Sequence, residues 1–254
     1  MGRPILDTLR LRGLRAIGYD SRECRTEVPL SSAVAMSDAA IFIVPTPSME
    51  DGSFSNEFLL NALNLFRSEE RAQKKFDYLY IVTSTTVPGS CDEFRKIVGD
   101  NICYKPEFVR TINPENVRPD ILNQAYILIG EANTIAGDRC ENIYRAISNA
   151  PVKRMSLIEA ELAKITLNCA LTMKISLANQ LHLVAQKLGA DSKKIMDAVG
   201  SDPRIGKEYL TPGWPYSGPC LPRDNRMFRY VAQKVGVDAC LSEAADRINQ
   251  LLGQ

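Results

Sequence analysis

The sequence predicts an α/β protein in two parts, a mostly parallel sheet covered by helices and then an all-helical domain. Two observations predict it. Over residues 1–153, short runs rich in Ile, Val, Phe, Tyr and Ala alternate with helix-length segments. That is the pattern of strands joined through crossover helices. Over residues 154–254 the strand pattern vanishes from about Ala150 onward, and a long stretch without Pro or Gly opens a run of helices.

Taken in order, Gly2–Arg12 reads as a short basic helix stopped by Gly13, and Leu14–Asp20 (LRAIGYD) as a strand ending in an acid. Ser37–Val44 (SDAAIFIV) is an apolar strand that stops at Pro45-Thr46-Pro47, where the second proline keeps Thr46 extended. Asn56–Ala72 reads as a helix, Tyr78–Thr83 as a strand, Ser84–Ser90 as a turn-rich loop and Cys91–Val98 as a helix. Asn101–Tyr104 is a short strand entering KPEFVR. Thr111–Asn123 is a loop, Ala125–Ile129 a strand and Thr134–Ser148 a helix. Right-handed crossovers place Pro45–Pro47, Ser84–Pro88 and Tyr104–Arg110 at one edge, beyond the carboxyl ends of the strands, where such sheets bind ligands.

The long stretch is Ser156–Leu188. Ser156 and Glu159 can close a capping box at its start, and Gly189 supplies its stop. Leu157, Leu162, Ile165, Leu171, Ile175, Ala178, Leu181 and Val184 spread apolar surface around most of it, interrupted by Glu161, Lys164 and Asn168. Lys164 and Asn168 stand one turn apart on one face. An amine and an amide there suit either a solvated surface pair or a bound substrate. Ser192–Val199, Asn225–Val235 and Leu241–Leu252 complete the helices, with a Pro- and Gly-rich loop between the first two of them.

Composition narrows the function classes. Thirty-one basic and 30 acidic residues leave a net charge of +1, which argues against a nucleic-acid or anionic-membrane partner. Seven Cys with no CxxC pair and a single His, His182, form neither a zinc pattern nor a disulfide framework, so no metal is expected. An odd number of thiols suits a reducing cytosol. No apolar leader opens the sequence, and the long helix is too polar to span a bilayer comfortably, so a cytoplasmic, soluble chain is expected.

Cys220 differs from the other cysteines, which read as buried structural thiols. It lies in YSGPCLPRDNRMF, where there is little apolar core, and a helix is expected to begin at Asp224 or Asn225. Amides at that helix start, together with Arg223, favour a thiolate. His182, inside the long helix, is no base for it. A thiolate without a His suits attack on an electrophilic carbon such as an aldehyde; a thiol peroxidase or acyl-transfer role for Cys220 alone has less support.

Several segments together resemble the nucleotide-sugar dehydrogenases of the UDP-glucose/GDP-mannose dehydrogenase family: GYD at 18–20, FIVPTPS at 42–48, STTVPG at 84–89, YKPEFVR at 104–110, AELAKITLN at 160–168, DPRIG at 202–206 and GPCLPRD at 218–224. Their order and spacing match over nearly the whole chain. The resemblance implies an incomplete Rossmann-like NAD-binding domain at 1–153 and a helical central, dimerisation domain at 154–254. It also implies NAD-dependent oxidation of a sugar C6 alcohol to the acid. Cys220 then looks like the nucleophile that captures the aldehyde as a thiohemiacetal, which a second hydride transfer turns into a thioester for hydrolysis. Lys164 and Asn168 look like the pair that steadies the oxyanion, Glu107 like the acid/base residue of hydrolysis, and Thr86 and Asp224 like supports for the water and for Lys164 or Cys220. Pro45, Thr46, Ser84 and Thr86 would line the cofactor crevice, and Asp20 would take the adenosine ribose. Arg204 and Lys207 would face a charged part of a ligand. A homodimer through the long helix is implied as well.

The departures are specific. Gly2 aligns with the last glycine of the GxGxxG fingerprint, and the first strand and the other two glycines have no counterpart in the sequence. That strand is central in the usual order, so a sheet split across a gap is expected, closed up, filled by a partner or left disordered at that edge. The family's third domain has no counterpart either. Thr111 stands where a second Glu is common, Pro219 removes an amide donor beside Cys220, and Arg223 replaces a Lys. The alternative to an active enzyme is a catalytically inactive relative retained as a binding or assembly module.

Overall fold

The computed structural model describes residues 2–109 and 119–252. They form two compact units, Met1–Pro47 with Ser55–Leu162 and Ser48–Phe54 with Ala163–Gln254. Arg110 and Thr111, and the loop expected from Thr111 as far as residue 118, lie outside the described residues.

The first unit holds a five-stranded sheet. Its strands are Ala39–Phe42 (β1), Leu79–Val82 (β2), Ile102–Tyr104 (β3), Ile127–Glu131 (β4) and Val152–Ser156 (β5), ordered β1-β2-β3-β4-β5. β1, β2 and β3 pair in parallel, as do β4 and β5, but β3 and β4 are antiparallel through Cys103↔Glu131 and Tyr104↔Gly130. The starts of β4 and β5 therefore stand at the edge where β1–β3 end, and Phe108 and Tyr126 meet there with ring centroids 5.3 Å apart. β2 is buried along its whole length, as a central strand covered on both faces must be. Gly2–Leu11 (α1), Leu30–Met36 (α2), Glu57–Ala72 (α3), Ser90–Val98 (α4) and Thr134–Arg145 (α5) are among its helices. Ile5 and Leu9 of α1 and Cys140 and Tyr144 of α5 share one core with Leu79, Ile81, Ile127 and Ile129.

Three expectations from the sequence differ from the structure. Leu14–Asp20 is not a strand. Arg10 donates from Nε and Nη2 to the Ala16 carbonyl at 2.9 and 2.7 Å, and the Gly18 amide donates to Glu27 Oε2 at 2.8 Å. Side chains thus satisfy backbone groups that a ladder would otherwise have satisfied. The expected split sheet does not form, because this segment builds no strand pair; among the described residues β1 is one edge of the sheet and β5 the other. Strand structure also does not end at Ala150, since Val152–Ser156 pairs with all of β4. Its charges hid it: Arg154 bonds to Glu131 and Asp138 and so makes a sheet position polar.

Leu157–Leu188 (α6) leaves the sheet and continues through the second unit. The Ser156 amide and hydroxyl both donate to Glu159 Oε2, at 2.8 and 2.6 Å, so the N-terminal box closes through the carboxylate. Gly189, at φ +67°, ends it. Its first turn lies so close to β4 that a Cβ on Gly130 would stand 2.7 Å from Ala160 Cβ and 3.2 Å from Leu157 Cα. Ser192–Gly200 (α7), Leu221–Lys234 (α8) and Cys240–Leu252 (α9) complete the second unit, with α8 starting earlier than expected because Pro222 suits a first turn.

Candidate functional site

In the sheet unit the loop candidates gather at the carboxyl edge. Past β1 and β2, the Val44 amide donates to Ser84 Oγ at 2.8 Å and the Ser84 hydroxyl returns a bond to the Val44 carbonyl at 2.7 Å. The Thr46 hydroxyl, which Pro45 and Pro47 hold in an extended chain, donates to the Thr85 carbonyl at 2.8 Å. These bonds tie the two loops together. Thr86 is fully buried and its hydroxyl donates to Glu161 Oε1 at 2.7 Å. Glu161 also accepts the Gly89 amide at 2.7 Å and the Cys91 amide at 3.0 Å, so it caps α4 from another helix. Burial raises the Glu161 carboxyl above its ordinary value while these hydrogen bonds pull it down.

Glu107 is buried beside Lys105, with Lys105 Nζ 2.6 Å from Glu107 Oε1. The contact is off-line for a hydrogen bond, but at that separation it is an ion pair. The ammonium also lies 4.3 Å from the Tyr144 ring centroid. Residues two apart on an extended chain share a face, which is how Pro106 lets Lys105 and Glu107 meet. Asp20 is bound locally: its Oδ1 accepts from the Arg22 amide at 3.0 Å and Arg22 Nε at 3.1 Å, which lowers the carboxyl below its ordinary value. Asp20 Oδ2 has only a 3.4 Å contact to Arg22 Nη2. Gly2 begins α1 with open space where a Cβ would stand.

In the helical unit, Lys164 and Asn168 are each only 8 % exposed, which excludes the solvated surface pair. Asn168 Nδ2 donates to Asp224 Oδ2 at 2.6 Å. Asp224 is fully buried in the first turn of α8, where Arg223 Nε donates to its Oδ1 at 2.9 Å. The Arg223 guanidinium also lies 4.6 Å from the Phe54 ring centroid, so its charge is directed to Asp224. Cys220 is the exposed N-cap of α8, without a side-chain capping bond, and its carbonyl accepts the Asp224 amide at 2.8 Å. The sulfur is therefore nearer the helix start than the sequence suggested. Of the other thiols, Cys24 and Cys240 are exposed rather than buried, and Cys91, Cys103, Cys140 and Cys169 are buried; burial pushes Cys169 up to about 12. His182 bonds Ser192 Oγ through Nδ1 at 2.9 Å. Arg204 is exposed and paired with Asp202 at 2.6 Å.

The structure thus joins Asn168 to Asp224, places Cys220 at the start of the helix that carries Asp224, and joins Thr46 to the loop bearing Ser84 and Thr86. Asp20 hydrogen-bonds Arg22 and Thr26 instead of any of these. Two residues escaped sequence reading. Glu161 read as an interruption of an apolar helix, although an acid three residues before Lys164 puts two ionisable groups about one turn apart. Lys105 was passed over inside KPEFVR. No helix among the described residues is long and apolar enough to cross a membrane.

Residues 11–148 match the NAD binding domain of the UDP-glucose/GDP-mannose dehydrogenase family, and residues 158–251 match its central domain. UDP-glucose 6-dehydrogenase AglM from Haloferax volcanii is 30% identical over 227 residues, covering 84% of this chain and 52% of the relative. GDP-mannose 6-dehydrogenase from Pseudomonas syringae pv. tomato is 28% identical over 242 residues, covering 91% and 55%. The chain thus spans about half the length of the curated relatives it matches. The solved structure of a UDP-glucose dehydrogenase from Pyrobaculum islandicum superposes with a TM-score of 0.86 at 27% identity, over 98% of this chain and 65% of that one.

Proposed function

Because the chain belongs to the UDP-glucose/GDP-mannose dehydrogenase family, we propose that it oxidises the C6 hydroxyl of a nucleotide sugar to a carboxylate, with NAD as oxidant and Cys220 as nucleophile. The observation that carries this reading is the arrangement in the helical unit: an exposed sulfur at the N-cap of α8, and in the first turn of that helix a buried carboxylate holding the Asn168 amide.

NAD fits the residues on two counts. Thr46, Ser84 and Thr86 stand beyond the carboxyl ends of β1 and β2, where parallel sheets take dinucleotides. Asp20 Oδ2, engaged only at 3.4 Å, retains capacity to accept a ribose hydroxyl. Two NAD molecules, bound one after the other, would each accept one of the two hydrides that leave the sugar carbon.

The chain's own residues do the rest. The Cys220 sulfur, exposed at the start of α8, adds to the aldehyde carbon. Lys164 offers an ammonium to the developing alkoxide, and Asn168 offers the N–H left over after one is given to Asp224. Thioester hydrolysis needs a water deprotonated and held. The family resemblance gives that role to Glu107, paired with Lys105, while Thr86, whose hydroxyl donates a hydrogen bond to Glu161, keeps oxygen lone pairs to accept a water O–H. The products are the sugar acid and the regenerated thiol.

Incubation with NAD and a panel of UDP- and GDP-sugars, following NADH absorbance, tests this beside Cys220→Ala. Steady NADH formation lost in the variant supports the reading; silence in the parent at millimolar NAD removes it. A second reading, an inactive relative kept as an assembly module, is favoured by one observation. Leu177, Val184 and Leu188 on α6 are 54%, 50% and 76% exposed and lie along one side of the helix. We propose that this side makes a homodimer.

A further inference from the structure

Cys220 lies between two anchored points, and both anchors reach the same carboxylate. Upstream, the Tyr216 hydroxyl donates to Asp246 Oδ1. Downstream on α8, Asn225 Nδ2 donates to the same Oδ1 at 2.8 Å, and Arg229 Nη2 is 2.8 Å from Asp246 Oδ2. Asp246 is on α9, one turn before Asn249, which holds the Tyr216 peptide from both sides: its Oδ1 accepts the Tyr216 amide at 2.7 Å and its Nδ2 donates to the Tyr216 carbonyl at 3.0 Å. Tyr216 is 5 % exposed and Asn225 fully buried, while Cys220 between them is exposed. Asn225 further donates to the Ser242 carbonyl of α9 at 2.9 Å.

We infer that Asp246 is a positioning residue for Cys220, closing the segment from Tyr216 to Asn225 into a ring fixed at both ends, with Asn249 locking the upstream end. The inference rests on reading Cys220 as the nucleophile. Its physical basis is that a short chain held at two points has few conformations left. Inside the ring Pro219 has a fixed φ, and Gly218 takes the turn at φ +78°. Asp246 can do this because a carboxylate has acceptor sites for three donors at once. An amide in its place offers one acceptor oxygen and two N–H groups that oppose those donors. In that reading only Cys220 of the ring meets the reacting carbon, and Asp246 acts through where it holds the sulfur.

The test uses the full chain with Cys24→Ser and Cys240→Ser, which leaves Cys220 as the exposed thiol among the described residues. Tyr216→Phe removes one arm without changing volume, and Asp246→Asn weakens all three. Carbamidomethylation of Cys220 by iodoacetamide is followed across pH, beside thermal melting. Met196→Ala, in the core with Ala178 and Leu210, is the destabilised control. In both ring variants the alkylation rate at fixed pH should change about threefold or more, while Met196→Ala lowers melting alone. A folded Tyr216→Phe that alkylates with the parent's rate and pH profile overturns the inference, whether or not Asp246→Asn folds. NADH formation measured in parallel separates the two ideas. Shifted alkylation without turnover in the parent leaves the positioning role and removes the dehydrogenase reading. Turnover in the parent with unshifted alkylation and kcat in Tyr216→Phe does the reverse.

Discussion

Asn168 and Asp224 are joined by a 2.6 Å hydrogen bond with both side chains buried, and this bond fastens α6 to the helix that Cys220 caps. Asp224 holds two donors, the Asn168 amide and the Arg223 guanidinium, at a position with no exposure to water. Asp224→Ala strands both. The expected loss is about 2–4 kcal/mol, most of it from leaving Arg223 without its charge partner. Urea denaturation should show it, and Asn168→Ala, which leaves only the Asp224 Oδ2 acceptor without its donor, should lose less. Equal losses would mean that Arg223 finds another partner.

Glu161 accepts from Thr86, Gly89 and Cys91, and all three partners are donors. Glu161→Gln therefore turns an N–H toward at least one N–H or O–H, at a cost of about 1–3 kcal/mol. The pH dependence should change too. A carboxyl raised by burial keeps its proton in the folded state over a range where the unfolded chain has lost it. The stability contribution of Glu161 thus falls as pH climbs from about 4.3, the unfolded value, through the raised folded value, and is flat above it. Denaturation midpoints of the parent should decline across that window more steeply than those of Glu161→Gln. Parallel profiles would remove Glu161 as the titrating group.

Lys105 and Glu107 make a buried pair, and removing one member of such a pair costs more than removing both. Lys105→Met should lose about 3 kcal/mol, and Lys105→Met with Glu107→Gln should recover a good part of that stability. The double variant should still lack thioester hydrolysis if Glu107 is its base. Acyl-enzyme trapped on Cys220, seen as a mass increase on the intact chain, is the readout.

What could be read in the sequence follows physical range. The long helix was legible because its signals are local: Ser156 and Glu159 at the start, Gly189 at the stop and no Pro or Gly between. Asn168 and Lys164 were legible as a pair because helical spacing alone puts them one turn apart. Leu14–Asp20 misled because its composition is strand-like, while a strand exists only with a ladder partner, and here Arg10 and Glu27 take the backbone groups instead. β5 was hidden for the converse reason: Lys153 and Arg154 read as polar, but β4 supplies the ladder and Glu131 the partner. Glu161 looked like a break in an apolar surface because its three donors come from residues 86–91, distant in sequence. The Asp246 anchor was invisible for the same reason.

The exposed side of α6 carries the last prediction. Leu177, Val184 and Leu188 recur about two turns and then one turn apart, so they form a continuous apolar strip. A monomer gains nothing from such a strip, whereas a second copy related by a two-fold axis would cover it with the same residues. Sedimentation equilibrium should return twice the chain mass for the parent. Leu177→Glu with Val184→Glu places like charges across the two-fold and should return the single-chain mass. Since these side chains are already half exposed or more, the variant should keep its helical circular dichroism. A parent that sediments as a single chain across micromolar concentrations would show that the strip is covered by something else.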